Sequence, residues 1–221
     1  MDEPTLDILA ARQLQLILTY APAGLGHLRV TDALYEGLPE IVNPVVLGSR
    51  DRSLQAIHRV TSIHPLARRL FEWLQSGPLS YLSNRLLRAY LRSGTRLVYE
   101  QMSLLIEQKL DPPREVLVIS THFGLAHKLA AIKDRLRREK QVEIFLVVVV
   151  TDATFQYIWY VDGADLIVVP SQSVREQFEA YGRSLGGKER IEVLPYPVNP
   201  GLGRPLTAEE TRAAIAQSGL V

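Results

Sequence analysis

Apolar residues in this chain fall into short continuous runs separated by stretches of helical periodicity. Residues 14–20, LQLILTY, read as a strand. After them come small and turn-forming residues up to Gly26, and then Val30, Ala33, Leu34, Gly37 and Leu38 recur at helical spacing. Strand, glycine loop and helix in that order open a nucleotide-binding-like α/β unit. Further strands are predicted at 41–47, at 115–120 (EVLVIS), at 142–151, at 165–170 (DLIVVP) and at 191–194. The run 142–151 is almost wholly apolar and rich in valine, which suits a central parallel strand buried on both faces. An amphipathic helix is predicted from 124 to about 138. Ser171 stands at an N-cap position ahead of Val174, Phe178 and Tyr181. Strands alternating with helices predict a Rossmann-like α/β domain, with a mostly parallel sheet and helices on both faces.

The pattern changes between about 50 and 110. No clear strand falls there, only helical stretches broken near 62–65, 76–78 and 93–94. That stretch reads as a helical insert. After Pro195 the chain reads PYPVNPGLGRP, a linker composition, and Thr207 is a plausible cap for one more helix. The expected organisation is one domain over 1–205 and the start of an interdomain connection over 206–221.

Composition narrows the function classes. A net charge of +1 gives no global bias toward nucleic acid. The absence of cysteine removes thiol nucleophiles and Cys-rich zinc sites, and suits a reducing cytoplasm. No metal cluster is evident, and no organic cofactor is called for. The longest apolar run, 144–150, is far short of the roughly 20 residues of a spanning helix, so membrane contact is expected to be peripheral.

The loop Ala23-Gly24-Leu25-Gly26-His27 carries the first candidate chemistry. Gly24 and Gly26 permit a tight turn and close approach of a ligand. The helix start beyond them offers unpaired N–H groups to oxygen-rich groups. The loop lacks the Lys-Ser/Thr of a Walker P-loop, and Arg29 replaces the third glycine of a dinucleotide fingerprint. His27 at its mouth suits a proton acceptor near neutral pH, or it merely caps a structural turn. Asp152 closes the central strand at its C-terminal end, where ligands bind in open α/β sheets; the plainer reading is a turn cap. His122 follows another strand and is either a ligand contact or a structural hydrogen-bonder. His58, His64 and His127 read as structural. Trp159 either lines the site or packs beneath its loop.

The segment 17–38, ILTYAPAGLGHLRVTDALYEGL, resembles the opening of the diacylglycerol glycosyltransferases, the family of monogalactosyl- and processive glucosyl-diacylglycerol synthases. These share the two-domain GT-B plan of the MurG-type cell-wall transferases. Residues 119–124, ISTHFG, resemble the family's strand-end Ser/Asn-Thr-x-Pro segment. Residues 150–174 follow its order of Thr-Asp, His-x-x-Trp, Val-Asp and Pro/Ala-Ser-x-x-Val, and 194–202, LPYPVNPGL, resemble its linker. The departures are Gln156 for the motif's His, Phe123 for its Pro, Asn199 for the linker Arg and Leu202 for its aromatic. The resemblance implies the N-terminal, acceptor-side half of an inverting hexosyltransferase, incomplete alone. A separate donor domain would bind the nucleotide-sugar substrate, a UDP-sugar by family habit. It implies His27 and Asp152 as catalytic residues, one as base and the other as its partner. It further implies Gly24, Gly26, Thr121, His122, Gln156 and Trp159 around the acceptor, a membrane lipid such as diacylglycerol. Two alternatives stay open: a MurG-type half, and a non-catalytic membrane-docking subunit of a split transferase.

Residues 50–96 carry nine arginines and two acids, an excess of seven positive charges in a chain whose total is +1. Leu, Phe, Trp and Tyr are interleaved with them. Arginine beside aromatic residues on helix faces is what an anchor to an anionic membrane surface requires. Arg68, Arg69, Phe71, Trp73, Arg85, Arg88 and Arg92 are the expected contacts, which places the protein peripherally at the inner face of the cell membrane. The bland reading makes the arginines a solvated face and the aromatics core. The same patch could draw nucleic acid, but no nucleic-acid partner is expected.

Overall fold

The computed structural model describes residues 14–21, 25–39, 42–48, 80–108, 113–202, Thr207 and Arg212. The strands are β1 (Gln15–Tyr20), β2 (Val45–Gly48), β3 (Glu115–Ser120), β4 (Glu143–Val149), β5 (Leu166–Val169) and β6 (Arg190–Val193). Among the described residues they form one sheet in the order β2-β1-β3-β4-β5-β6, with every pair parallel. The helices are α1 (Leu25–Glu36), α2 (Ser80–Leu91), α3 (Arg96–Glu107), α4 (Phe123–Lys140) and α5 (Gln172–Leu185). Short 3-10 turns lie at Tyr157–Trp159 and Pro200–Leu202. The expected Rossmann-like α/β class is the one found.

The strand order explains the two faces. From β1 the chain steps one way to β2, then returns past β1 to β3 and continues the other way. Right-handed crossovers therefore place α1 on one face and the later helices on the other. Ile17, Val118, Leu146, Val148 and Ile167 turn to the second face, where they form the main core with Met102, Leu129, Ile132 and Phe178. Val149 and Val168 turn to the first face and meet Val30 of α1, with Leu34, Ile119, Val147 and Leu166 around them. β4 is thus apolar on both faces for the reason its composition predicts.

Boundaries differ from expectation where local chemistry intervenes. The strand expected at 41–47 starts only at Val45. Pro44 precedes it and has no N–H to give a neighbouring strand. The run 142–151 is in the sheet only from Glu143 to Val149, although the Val150 N–H still donates to the Val168 carbonyl at 2.9 Å. Thr151 and Asp152 then leave the sheet at its C-terminal edge. Helix α4 starts one residue earlier than its periodicity suggests because the His122 side chain caps it, accepting from the Leu125 N–H at 3.4 Å. Its last turn carries Arg137, Arg138 and Lys140 at the negative end of the helix dipole. Ser171 caps α5 as expected, and Gly186 ends that helix in the left-handed conformation at φ 69°. Of the helical insert, α2 and α3 are observed, with a break around Gly94 at φ 59°. Residues 51–79 and nearly all of the predicted terminal helix lie outside the described residues.

Candidate functional site

At a reversal of strand order, the chains leaving two neighbouring strands diverge to opposite faces and open a crevice at the carboxyl edge of the sheet. Here those strands are β1 and β3. Helix α1 leaves the first, and α4 leaves the second. His27 sits in the first turn of α1, and Thr121 and His122 join β3 to α4. The sequence-predicted residues His27, Thr121, His122, Asp152 and Trp159 are brought together there.

A network of threonines fixes His27. Its Nδ1 lies 2.8 Å from the Thr121 carbonyl oxygen and 2.9 Å from Thr151 Oγ1. A carbonyl only accepts, so Nδ1 carries the proton, and in the neutral ring Nε2 is the basic nitrogen. Thr31, one helical turn after His27, donates its hydroxyl back to the His27 carbonyl at 2.9 Å. Thr31 and Thr121 hydroxyls meet at 2.6 Å, and Thr121 also takes the Thr19 carbonyl with its backbone N–H at 3.1 Å. The helix start is thereby tied to the ends of β1 and β3, and the imidazole is held in one tautomer.

Aromatic rings wall this network. His122 is nearly buried, packs edge-on to His27 with centroids 5.1 Å apart, and stacks on Phe123 at 4.7 Å. Its Nδ1 is the cap of α4, so the structural role weighed for it is present beside its position in the site. Trp159 is fully buried, 5.8 Å from His27 and 5.5 Å from Phe123 by ring centroids. Its indole N–H donates to the Asp152 carboxylate. His27 and Asp152 are linked through neighbours: Thr151 bonds His27, and the next residue, Asp152, is held by Trp159, whose ring packs on His27. Half-exposed Gln156 caps the 3-10 turn, its carbonyl accepting from the Trp159 N–H at 3.1 Å. Trp159 packs rather than lining an open surface, which is the common fate of a large aromatic.

Two members of the site, Thr31 and Tyr196, were not singled out from sequence, and Thr151 and Phe123 were noted there only as motif positions. Thr31 is one turn from His27 on the same helix, and Thr151 adjoins Asp152, so proximity to named residues was the available signal. Tyr196 arrives from the linker after β6. Partial burial raises the pKa of its phenol, and the nearby Asp152 carboxylate raises it further. Gly24 lies outside the described residues.

Gly26 is the second residue of α1, and a Cβ built there meets nothing within 4 Å among the described residues. Packing against those residues therefore does not demand glycine at this position. Gly26→Ala is expected to keep or raise the thermal midpoint, since alanine favours a helix by up to about 1 kcal/mol over glycine. Acceptor KM should rise if a ligand occupies the open space. A melting curve beside a KM measurement separates the two effects.

The arginines of α2 lie apart from this crevice. Arg85 and Arg88 on α2 and Arg92 in the turn just after it line a cavity of about 430 Å³ with Tyr160, Asp162 and Gly186. The Arg92 guanidinium donates to the Asp162 carboxylate at 3.1 Å, and Arg88 lies over the Tyr181 ring at 5.2 Å from its centroid. Two of the three therefore have intramolecular partners, which a purely solvated or lipid-facing role does not require. Exposed apolar residues flank them on α2, Leu86 and Tyr90. Arg68, Arg69, Phe71 and Trp73 lie outside the described residues, as do His58 and His64. His127 is fully buried in α4 and donates from Nε2 to the Ile158 carbonyl at 2.9 Å, the structural role expected of it.

Among the described residues no group of three or more His, Asp or Glu side chains is placed to hold a metal ion, and no helix is long and apolar enough to cross a membrane. No family model, curated protein or solved structure matches the chain, and what is shown is the all-parallel Rossmann-like fold.

Proposed function

We propose that this chain is the acceptor-binding half of an inverting glycosyltransferase acting on a membrane lipid such as diacylglycerol. The observation that carries the reading is the His27 imidazole, held by Thr121 and Thr151 in the tautomer that makes Nε2 basic, at a strand-order reversal. An acceptor hydroxyl placed at Nε2 gives its proton to the ring as its oxygen attacks the anomeric carbon. The bond from that carbon to the phosphate oxygen breaks, and the nucleoside diphosphate leaves with the electron pair. The donor, a UDP-sugar by family habit, is held by a second domain in this reading. Asp152, fixed by Trp159, adds negative charge that favours the imidazolium as it forms. The motif resemblance over 17–202 supports the same assignment.

Membrane association, at the inner face of the cell membrane, is part of the proposal. Its support is the charge excess over 50–96 and the exposed Leu86 and Tyr90 beside Arg85. Co-sedimentation should be stronger with vesicles containing anionic lipid than with neutral ones. It should weaken with salt, because the Debye length falls from about 10 Å at 0.1 M to about 3 Å at 1 M. Arg85→Glu is the cleanest variant, since reversing Arg88 or Arg92 also disturbs Tyr181 or Asp162. Equal binding to both vesicle types would remove the arginines from this role.

The transfer reading is tested by screening UDP-sugars against lipid and soluble acceptors, using this chain together with a donor domain. Sugar transfer to a lipid hydroxyl supports it. Donor turnover confined to soluble acceptors sinks the lipid assignment. Transfer by the 221-residue chain alone, at the rate of a complete transferase, would contradict the division into two halves.

A further inference from the structure

Beside the His27 network the first face of the sheet carries an apolar groove of about 220 Å³. Leu34 of α1 forms one side, Val149 and Val168 the floor, and Pro170, Leu194 and Tyr196 the outer end. Among the described residues that line it, Tyr196 alone has a side chain with a polar atom. The floor follows from register: Ile119, Val147 and Leu166 form one row across three parallel strands, and Val149 and Val168 form the next.

The groove adjoins the polar site on three elements. Its Val150 precedes Thr151, and its Ile119 lies two residues before Thr121. Leu34 stands seven residues after His27 on α1, roughly 10 Å along the helix axis at 1.5 Å per residue. Exposed apolar side chains stand at its outer end and just beyond: Leu194 is 54% exposed and Val198 66%. Pockets that enclose a whole drug-sized ligand are usually about 300–1,000 Å³. A groove of this size, apolar along its length and polar at one end, suits one arm of a larger amphiphile.

We infer that the groove between α1 and strands β4 and β5 takes the hydrocarbon chain of an amphiphile whose hydroxyl group lies at His27. This rests on the transfer reading for the hydroxyl end; the hydrocarbon end rests on the groove itself. Burying methylenes in such a groove displaces water from apolar surface on both partners. Tyr196, the one polar side chain among the described lining residues, stands close to the Asp152 carboxylate, so the groove turns polar on the side of the catalytic cluster.

The test uses the 221-residue chain and a series of 1-alkanols from butanol to decanol, with binding followed by calorimetry. The dissociation constant should fall about fourfold per added methylene, corresponding to about 0.8 kcal/mol, and then level off once the groove is full. Leu34→Trp, which fills the groove, should flatten the series. Leu194→Asp changes an exposed side chain at the same end of the groove as Tyr196 and keeps the test valid if the first variant misfolds; it should weaken every alkanol of the series. No dependence on chain length, or an unchanged series in both folded variants, overturns the groove. Alkanol binding that emerges only on deleting residues 203–221 would assign the groove to the chain's own tail, and binding that emerges only on dissociation of a dimer would assign it to a second copy; either overturns the inference. A second arm compares each alkanol with its methyl ether in wild type and His27→Ala. Loss of an alcohol preference in the variant supports the hydroxyl at His27. A chain-length dependence with no alcohol preference leaves the groove standing and removes the transfer reading.

Discussion

His27→Ala is expected to lower sugar transfer by about 10²–10⁴-fold, the usual range for loss of a general base, in the enzyme formed by this chain and a donor domain. Donor KM should change little, because the imidazole stands on the acceptor side of the proposed reaction. Asp152→Asn should also fall within that range if its charge supports the imidazolium. The asparagine carbonyl can still accept the Trp159 indole N–H, so packing is retained and the charge alone is removed. Thr151→Val separates orientation from chemistry. It keeps the shape and deletes the Thr151 contact on Nδ1, leaving the Thr121 carbonyl to fix the tautomer. A smaller loss than for His27→Ala is expected. Retention of more than about half the wild-type rate by both His27→Ala and Asp152→Asn, far outside the general-base penalty, would withdraw the assigned roles.

The second large effect concerns stability in acid. Burial lowers the pKa of His127 from 6.5 to about 4; the Ile158 hydrogen bond opposes this, and Arg88 and Arg92 add to it. Its Nδ1 is buried without a hydrogen-bond partner among the described residues. The folded protein thus resists the proton that the unfolded chain accepts. Stability from this residue is full above about pH 6.5, declines as pH falls toward 4, and is constant below that. The loss amounts to about 3 kcal/mol, at 1.36 kcal/mol per pH unit. His127→Gln keeps a donor toward Ile158 and abolishes the titration. Urea midpoints should therefore fall more steeply for wild type than for the variant between pH 7 and 4, with the carboxylates common to both cancelling. Parallel curves would mean that the folded state takes up the proton as readily as the unfolded one.

Much of this was legible in the chain, because periodicity reports burial directly. The valine-rich run at β4 and the Ser171 cap of α5 needed only local rules. Strand order was not legible, since nothing in QLILTY or EVLVIS states that β1 and β3 are neighbours. The candidate site depended on that order. His27, Thr121 and Asp152 stood out as polar residues at strand ends, but their connection runs through Thr151 and Trp159. The indole of Trp159 packs like a core residue while its N–H fixes a carboxylate, and sequence separates those two functions poorly. Tyr196 enters from a linker whose path no periodicity describes. The arginines of α2 show the converse case. Their charge was plain, while the Asp162 carboxylate and the Tyr181 ring that engage two of them are distant in sequence.

The pairing of β1 with β3 also bears on how the chain is made. Gln15 is in register with Val116, about one hundred residues later. Every neighbouring pair in this sheet is parallel, so no strand can close early through a hairpin. At roughly 5–20 residues per second, a ribosome needs about 5–20 s to deliver the partner of β1. For that time one edge of an apolar strand lacks its eventual neighbour, and its protection falls to whatever the nascent chain or a chaperone can supply. Lengthening the intervening segment would cost the finished fold little, about 0.6 kcal/mol for each doubling of loop length. It would lengthen the exposed interval in direct proportion, so changes in that segment should be felt first as a loss of yield during synthesis.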